Sequence, residues 1–353
     1  MQPIHESTHP VAFGRRQLLK GAGLGLAALG AAPILAACGN SASAGSGSLV
    51  NLSYQLEWLK ITQFSGFFAA ENNNYYTKQG LNVTFAAGGP NISASELVAA
   101  GRADLGDDDN IVLLQAIDKG LPLVMFAAIF QKTPESCISL ASNPILTLQD
   151  MVGKTIAIDT AEAAQLIPAL KAAGIDPSKV KIIPAGADPT QLVTHQADGY
   201  FGFSTSQGVD LQLQGVKIVS VSASDLGFGD YADVLFTTKH NLATKKAELV
   251  KFLRATIMGY EYAIANPDAA AKITVDKYGA PGLNIKSETA TAHAQIPLIS
   301  SPKGVLWLDP TTMQQIIDQQ FAIKSISRRL TASEVMTTGI LEAAYGGKTN
   351  LLS

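Results

Sequence analysis

The sequence predicts an α/β protein of two lobes joined by a hinge, with a ligand cleft between them. Three observations carry that expectation. Strand-like and helix-like runs alternate through two successive units of the same kind, which argues two parallel-rich sheets flanked by helices. The chain passes between the units near residues 140 and 235, and two crossings between α/β lobes describe a hinge. About 300 residues follow the leader, more than one hydrophobic core usually holds.

Residues 1–37 read as a leader outside the fold. Phe13-Gly14-Arg15-Arg16-Gln17-Leu18-Leu19-Lys20 has the form of a twin-arginine export signal, and an apolar run from Gly21 to Ala37 follows it. The run ends Leu35-Ala36-Ala37-Cys38, which resembles the lipobox of bacterial lipoproteins, so Cys38 is the expected lipidation site. Residues 38–48 form a Gly/Ser/Ala tether. Loss of the leader removes Arg15, Arg16, Lys20 and Glu6, which moves the formal charge from −3 to −5. No basic stripe remains, so nucleic acid is not an expected partner. Cys137 is the other cysteine; with Cys38 acylated, no internal disulfide forms and stability rests on the core.

The first lobe is expected over residues 49–140 and 236–353, the second over 141–235. Asn51–Leu56 alternates as a strand, Gly66–Lys78 has helical spacing up to Gly80, and Leu81–Ala87 is the next strand. Ser93 or Asn91 can cap a helix through Ala100, with Glu96 in capping-box position. A short strand near Asp104, a helix over Ile111–Lys119 and a buried strand over Leu121–Phe130 complete that unit. The second unit runs through strands at Lys154–Asp159, Val180–Ala185, Tyr200–Ser204 and Val216–Val221, separated by helices. Tyr231–Thr238 is a strand returning to the first unit, and the remainder is mostly helical: 245–266, 268–278, 286–295, 310–323 and 332–345.

The stretch from Tyr54 to Phe68 begins as the first strand and breaks into a polar turn. That turn brings Trp58, Thr62, Gln63, Phe64 and Ser65 to the start of a helix. A strand end that delivers an aromatic ring with amide and hydroxyl groups to a helix N-terminus is a frequent small-molecule site, although the same residues suit an ordinary core. Asp107, Asp108, Asp109 and Asn110 close the third strand. They serve either as helix caps or as acceptors for amino and ring N–H groups. His195, His240 and His293 lack metal-ligand spacing, and there is no Gly-x-Ser-x-Gly elbow, phosphate loop or zinc motif. No cofactor, no metal and no catalysis are therefore expected.

Several stretches in order resemble a known family: Leu56-Glu57-Trp58, Gly66 to Glu71, Tyr75 to Val83, Gly88-Gly89-Pro90, Leu97 to Gly106, Gly153 to Ala157, Gly259 to Asp268 and Trp307 to Pro310. They are similar to the substrate-binding proteins of ABC importers grouped with nitrate, sulfonate and taurine receptors and with the thiamine-pyrimidine synthase of fungi. The resemblance implies a type II periplasmic-binding-protein fold, a monomer that captures a small solute by hinge closure, and ABC permease subunits as partners. The acidic-Trp pair followed by Gly-Gly-Pro looks most like receptors for flat heterocycles such as a thiamine pyrimidine precursor or riboflavin. An alkanesulfonate, taurine or nitrate is the second reading, and an exported enzyme a remote third.

The resemblance also implies site residues. Trp58 would stack on the ring and Gln63 with Ser65 would read its polar edge. Gly88, Gly89 and Pro90 would let backbone amides approach the ligand. Asp109 and Asn110 would face it, and Gly202, Ser204 and Thr205 would meet it from the second lobe, with Phe228 and Tyr231 as weaker candidates at the mouth. The fungal synthase has a cysteine-rich motif and a histidine in the turn after Trp; here Phe64 stands at the latter position, so self-sacrificing synthase chemistry is not expected.

Overall fold

Two five-stranded sheets with the same internal order organise the chain. The structure, a computed structural model, describes residues 48–186, 188–227 and 231–353. The leader, Cys38, the tether through residue 47 and Phe228 lie outside the described residues. The first sheet consists of β1 (Val50–Gln55), β2 (Leu81–Ala86), β3 (Leu105–Asp108), β4 (Leu123–Phe130) and a late strand, β10 (Ala232–Thr238). The second consists of β5 (Glu135–Leu140), β6 (Thr155–Ile158), β7 (Lys181–Pro184), β8 (Gly199–Phe203) and β9 (Ile218–Ser222). Their orders are β2-β1-β3-β10-β4 and β7-β6-β8-β5-β9. In each, one strand lies antiparallel to both its neighbours, and it is the strand next to a crossing: β10 in the first sheet, β5 in the second. The remaining pairs are parallel, so both sheets are mixed.

The chain accordingly passes from the first sheet to the second between β4 and β5, and returns between β9 and β10. β5, expected in the first lobe, pairs into the second sheet, and all of β10 pairs into the first. The sequence spacing does not mark β5 as a strand. Glu135-Ser-Cys-Ile-Ser-Leu lacks the apolar run of an ordinary central strand, yet five of its six residues are buried, because it lies between two neighbours under the cleft floor.

Burial follows sheet position. β2, at an edge, alternates buried and exposed along its whole length, whereas β4 is buried at all eight residues. The open edge of β4 is covered rather than free: Ala128 N–H donates to Leu306, Gln131 N–H to Leu298 and Thr337 N–H to the Met125 carbonyl. The first-lobe core is aromatic: Tyr54 packs on Phe67 at 4.8 Å between centroids and Tyr76 stacks on Phe252 at 5.5 Å. Two smaller clusters, one containing Met151 and Leu166 and the other Leu192 and Leu211, fill the second lobe.

The late segment is helical as expected, with one interruption: the run 332–345 divides into Ala332–Val335 and Gly339–Tyr345, because Met336 forms a bridge to Met125 of β4. The helix Ser65–Asn72 lies close against Lys246–Ala265, with Gly259 meeting the backbone of Gly66; a β-carbon at Gly259 would sit 2.1 Å from the Gly66 oxygen. That contact fixes the helix that follows the Trp58 turn. Among the described residues no helix is long and apolar enough to cross a membrane.

Candidate functional site

The carboxyl ends of β1 and β3 in the first lobe and of β6 and β8 in the second converge on one cavity of about 550 Å³. That volume falls within the range of small-molecule sites. After β1 the chain carries Glu57 and Trp58 along the cavity wall, laced to the loop after β2. Gly88 N–H donates to the Trp58 carbonyl at 2.8 Å and Gly89 N–H to that of Glu57 at 3.0 Å. Gly88 has no room for a side chain, since a β-carbon there would lie 2.2 Å from the Glu57 oxygen. Gly89 and Pro90 line the cavity; Gly88 stands behind them.

The turn Thr62–Phe64 then sorts its residues. Gln63 faces the cavity, and its Nε2 donates to both carboxylate oxygens of Asp233 at 2.9 Å and to Glu57 Oε1 at 3.3 Å. Thr62 and Ser65 turn instead toward the helix Ile285–Ile299. Thr62 N–H donates to Glu288 at 2.7 Å, and Gln295 Nε2 reaches both the Thr62 carbonyl and Ser65 Oγ. Phe64 is fully buried beside Phe67, with centroids 6.3 Å apart. Thr62, Phe64 and Ser65 therefore do not line the cavity. A single tight turn points successive side chains in different directions, so a hydroxyl-rich run cannot present all of them to one ligand.

At the end of β3, Asp108 and Asp109 line the cavity while Asn110 is buried away from it. Asp109 occupies the N-cap position of the helix Asn110–Asp118, yet its side chain makes no capping bond and is left for the cleft. In the second lobe the wall comes from Glu135, from Asp159, Thr160 and Glu162 at the start of the helix Thr160–Ala172, and from Tyr200 to Phe203 with Gln207. Gly202 is on the wall. Ser204 and Thr205 are not, and the Ser204 hydroxyl donates to the Pro134 carbonyl at the crossing. Tyr231 lies outside the wall and receives the Asp309 N–H on its hydroxyl.

Charge is what the sequence reading missed. Among the described residues, seven carboxylic acids line the cavity against one cation, Lys119. Behind Gln63, carboxylate oxygens of Glu57, Asp107 and Asp233 come within 4.8 Å of one another. Burial, and then the neighbouring Asp233, hold the Glu57 and Asp107 carboxyls well above the usual range; Asp233 itself is pushed up to about 6 by burial. Burial pushes Asp108 to about 7. Burial also raises Asp109, with the adjacent Asp108 adding to it. Three clustered carboxylates are chemically able to hold a hard cation through oxygen. The Gln63 amide already bridges two of them, donating from Nε2 to Glu57 and Asp233.

The sequence carries a signal for Asp233, the one acid in an otherwise apolar or hydroxyl strand; the structure adds that its backbone is left-handed, φ 50°, which is unusual within a strand. Cys137 is buried and its thiol is pushed up to about 12 by burial, which makes it a poor nucleophile.

The model of the family described as NMT1/THI5 like matches residues 61–270. A 4-amino-5-hydroxymethyl-2-methylpyrimidine phosphate synthase of Legionella pneumophila is 25% identical over 224 residues, 62% of this chain and 71% of the relative. A formylaminopyrimidine-binding protein of Halalkalibacterium halodurans is 23% identical over 244 residues, 68% of this chain and 74% of the relative. Among solved structures, the alkanesulfonate-binding protein SsuA of Xanthomonas axonopodis pv. citri, bound to MOPS, superposes with a TM-score of 0.62 at 15% identity, covering 83% of this chain and 99% of that one. The fold is that of periplasmic binding proteins.

Proposed function

Because the chain belongs to the NMT1/THI5-like family, we propose that it is the extracytoplasmic solute-binding component of an ABC importer and that its solute is a flat, amino-bearing heterocycle. A thiamine pyrimidine precursor fits that description best, with riboflavin as the other flat candidate. The observation that supports the reading is the composition of the cavity wall: Trp58, an aromatic ring able to stack, lines it together with carboxyl groups, which are the chemistry that accepts ring and amino N–H bonds. Contacts from both lobes would stabilise a closed form over an open one, which is how a hinged receptor captures its solute. An alkanesulfonate, taurine or nitrate is disfavoured, since an anion would meet seven acids and one lysine.

The chain catalyses nothing on this reading, although several relatives are named synthases. Phe64 replaces the histidine and lies in the core, and Cys137 is buried in β5. Replacing Trp58 by alanine should weaken binding of 4-amino-5-hydroxymethyl-2-methylpyrimidine about tenfold or more by calorimetry, from lost stacking and apolar contact. Unchanged affinity would remove Trp58 from the site.

The twin-arginine leader and Cys38 support export and a lipid anchor on the outer face of the cell membrane, with the domain working as a monomer beside its permease. Cys38→Ala should shift the protein from the detergent-extracted membrane fraction to the released fraction; retention on the membrane would overturn the anchor.

A further inference from the structure

The helix Ile285–Ile299 belongs to the first lobe and is fixed to it at two places. Near its carboxyl end, the Leu298 carbonyl accepts the N–H of Gln131, in the chain that passes from β4 to β5. On its buried face, Glu288 and Gln295 hold the turn after the Trp58 segment. Thr62 N–H donates to Glu288 at 2.7 Å, and Gln295 Nε2 donates to the Thr62 carbonyl at 3.2 Å. Next to Glu288, at the amino end of the helix, the Ser287 hydroxyl instead donates to the Asp210 carboxylate. Asp210 is a second-lobe residue, in the first turn of the helix Gln207–Leu213, which packs against β8 and β9.

Leu298 follows Ser287 by eleven residues, about 16 Å of helix. If the lobes opened by as little as about 10° around the crossing strands, a point at that distance would move by roughly 3 Å, which takes a hydroxyl out of hydrogen-bonding reach of a carboxylate. The Ser287–Asp210 bond is thus made only while the lobes are shut. Neither residue lines the cavity, yet each is close to one that does. Gln207 stands three residues before Asp210, and Gln63 follows the Thr62 that Glu288 holds. The helix therefore joins the two walls of the cleft from outside it.

We infer that Ser287 and Asp210 form a latch that holds the lobes shut, with the helix Ile285–Ile299 as the arm that carries it from the crossing strands to the far lobe. Both are positioning residues. The inference rests on the solute-receptor reading above and adds to it a bond that favours the shut form without touching the solute. A receptor binds in proportion to its shut fraction, so loss of the latch weakens capture of any solute.

The first test uses no ligand. Small-angle scattering should give a larger radius of gyration for Ser287→Ala and for Asp210→Ala than for the wild type, whereas Ser287→Thr, which keeps the hydroxyl, should match the wild type. The two alanine variants lie on opposite lobes, so one serves if the other does not fold. With 4-amino-5-hydroxymethyl-2-methylpyrimidine as the probe, both should release it about tenfold faster at a nearly unchanged association rate, as expected when a hydrogen bond to a carboxylate is lost after encounter. Scattering that coincides for wild type and alanine variants would overturn the latch, whether or not the pyrimidine binds. Expansion of Ser287→Thr as well, or release of bound pyrimidine at the wild-type rate, would overturn it too. Expansion of the alanine variants alone, in a protein that does not bind the pyrimidine, would uphold the latch and displace that solute.

Discussion

Gly88→Ala should abolish most solute binding in a protein that still folds. A β-carbon at residue 88 would lie 2.2 Å from the Glu57 oxygen and 2.3 Å from the Leu56 oxygen, both backbone atoms that cannot rotate aside. Accommodation requires the segment Leu56–Trp58 to move away, which breaks the 2.8 Å bond from Gly88 N–H to the Trp58 carbonyl. Glu57 and Trp58 both ride on that segment, so the ring platform and the acidic cluster shift together. A displacement of about 1 Å in a positioning group can cost on the order of a hundredfold in function. Overpacking of this kind typically costs about 1–3 kcal/mol, which a domain of this size can survive. Gly208→Ala is the control, because a β-carbon there makes only ordinary contacts at 3.7 Å and the residue does not line the cavity. Calorimetric titration with scanning calorimetry on both variants decides the matter. A folded Gly88→Ala protein with unaltered affinity would show that this lacing does not hold the Trp58 wall.

The ligand-free protein should be most stable near pH 5 and should lose melting temperature as the pH rises toward about 8. Burial holds Asp108 at about 7 and Asp233 at about 6 in the folded state, against about 3.9 for an ordinary aspartate. Between those values the folded chain binds more protons than the unfolded one. The contribution is therefore complete below about pH 4 and is lost as the pH climbs through 6 and 7. Glu57, Asp107, Asp109, Glu135 and Glu162 are raised by burial as well and act in the same direction.

Carboxyls shifted the other way do not oppose the trend. Asp309, held low by the Lys303 ammonium at 2.6 Å, has made its contribution before pH 5 is reached. Together the raised acids should be worth a few kcal/mol, or roughly 10 °C across the interval. Asp108→Asn should flatten the profile in its upper half. A melting temperature that stays level from pH 5 to 8 would mean that the buried acids ionise freely in the folded state.

How far the sequence revealed the site depended on where each signal lies. Trp58, Gln63 and the Gly-Gly-Pro run were legible because they sit at a strand end and a loop, where an aromatic ring or paired glycines stand out from an apolar background. The parallel units were legible for the same reason, through alternating apolar spacing. β5 was not, because its polar residues mask a strand that is buried by its neighbours rather than by its own hydrophobicity. Thr62 and Ser65 could not be separated from Gln63 by composition; their directions depend on the distant helix Ile285–Ile299, which binds two of them. The acidic cleft escaped for a related reason. Glu57, Asp107, Asp109, Glu135, Glu162 and Asp233 are spread over nearly the whole fold, and only the sheet order brings β1, β3, β5 and β10 to one end.

That sheet order also dictates when each half of the molecule can be completed during synthesis. The second sheet is built from consecutive strands, β5 to β9, and has all its pairing partners once residue 222 has been made. The first sheet does not: β4 pairs with β10, which begins at residue 232, and its other edge is covered by segments as late as Thr337. Leu123–Phe130, the most apolar strand of the protein, thus spends the longest time on the ribosome without a neighbour. The inserted half matures first, and the half that begins and ends the chain remains the aggregation-sensitive one until its last helices emerge.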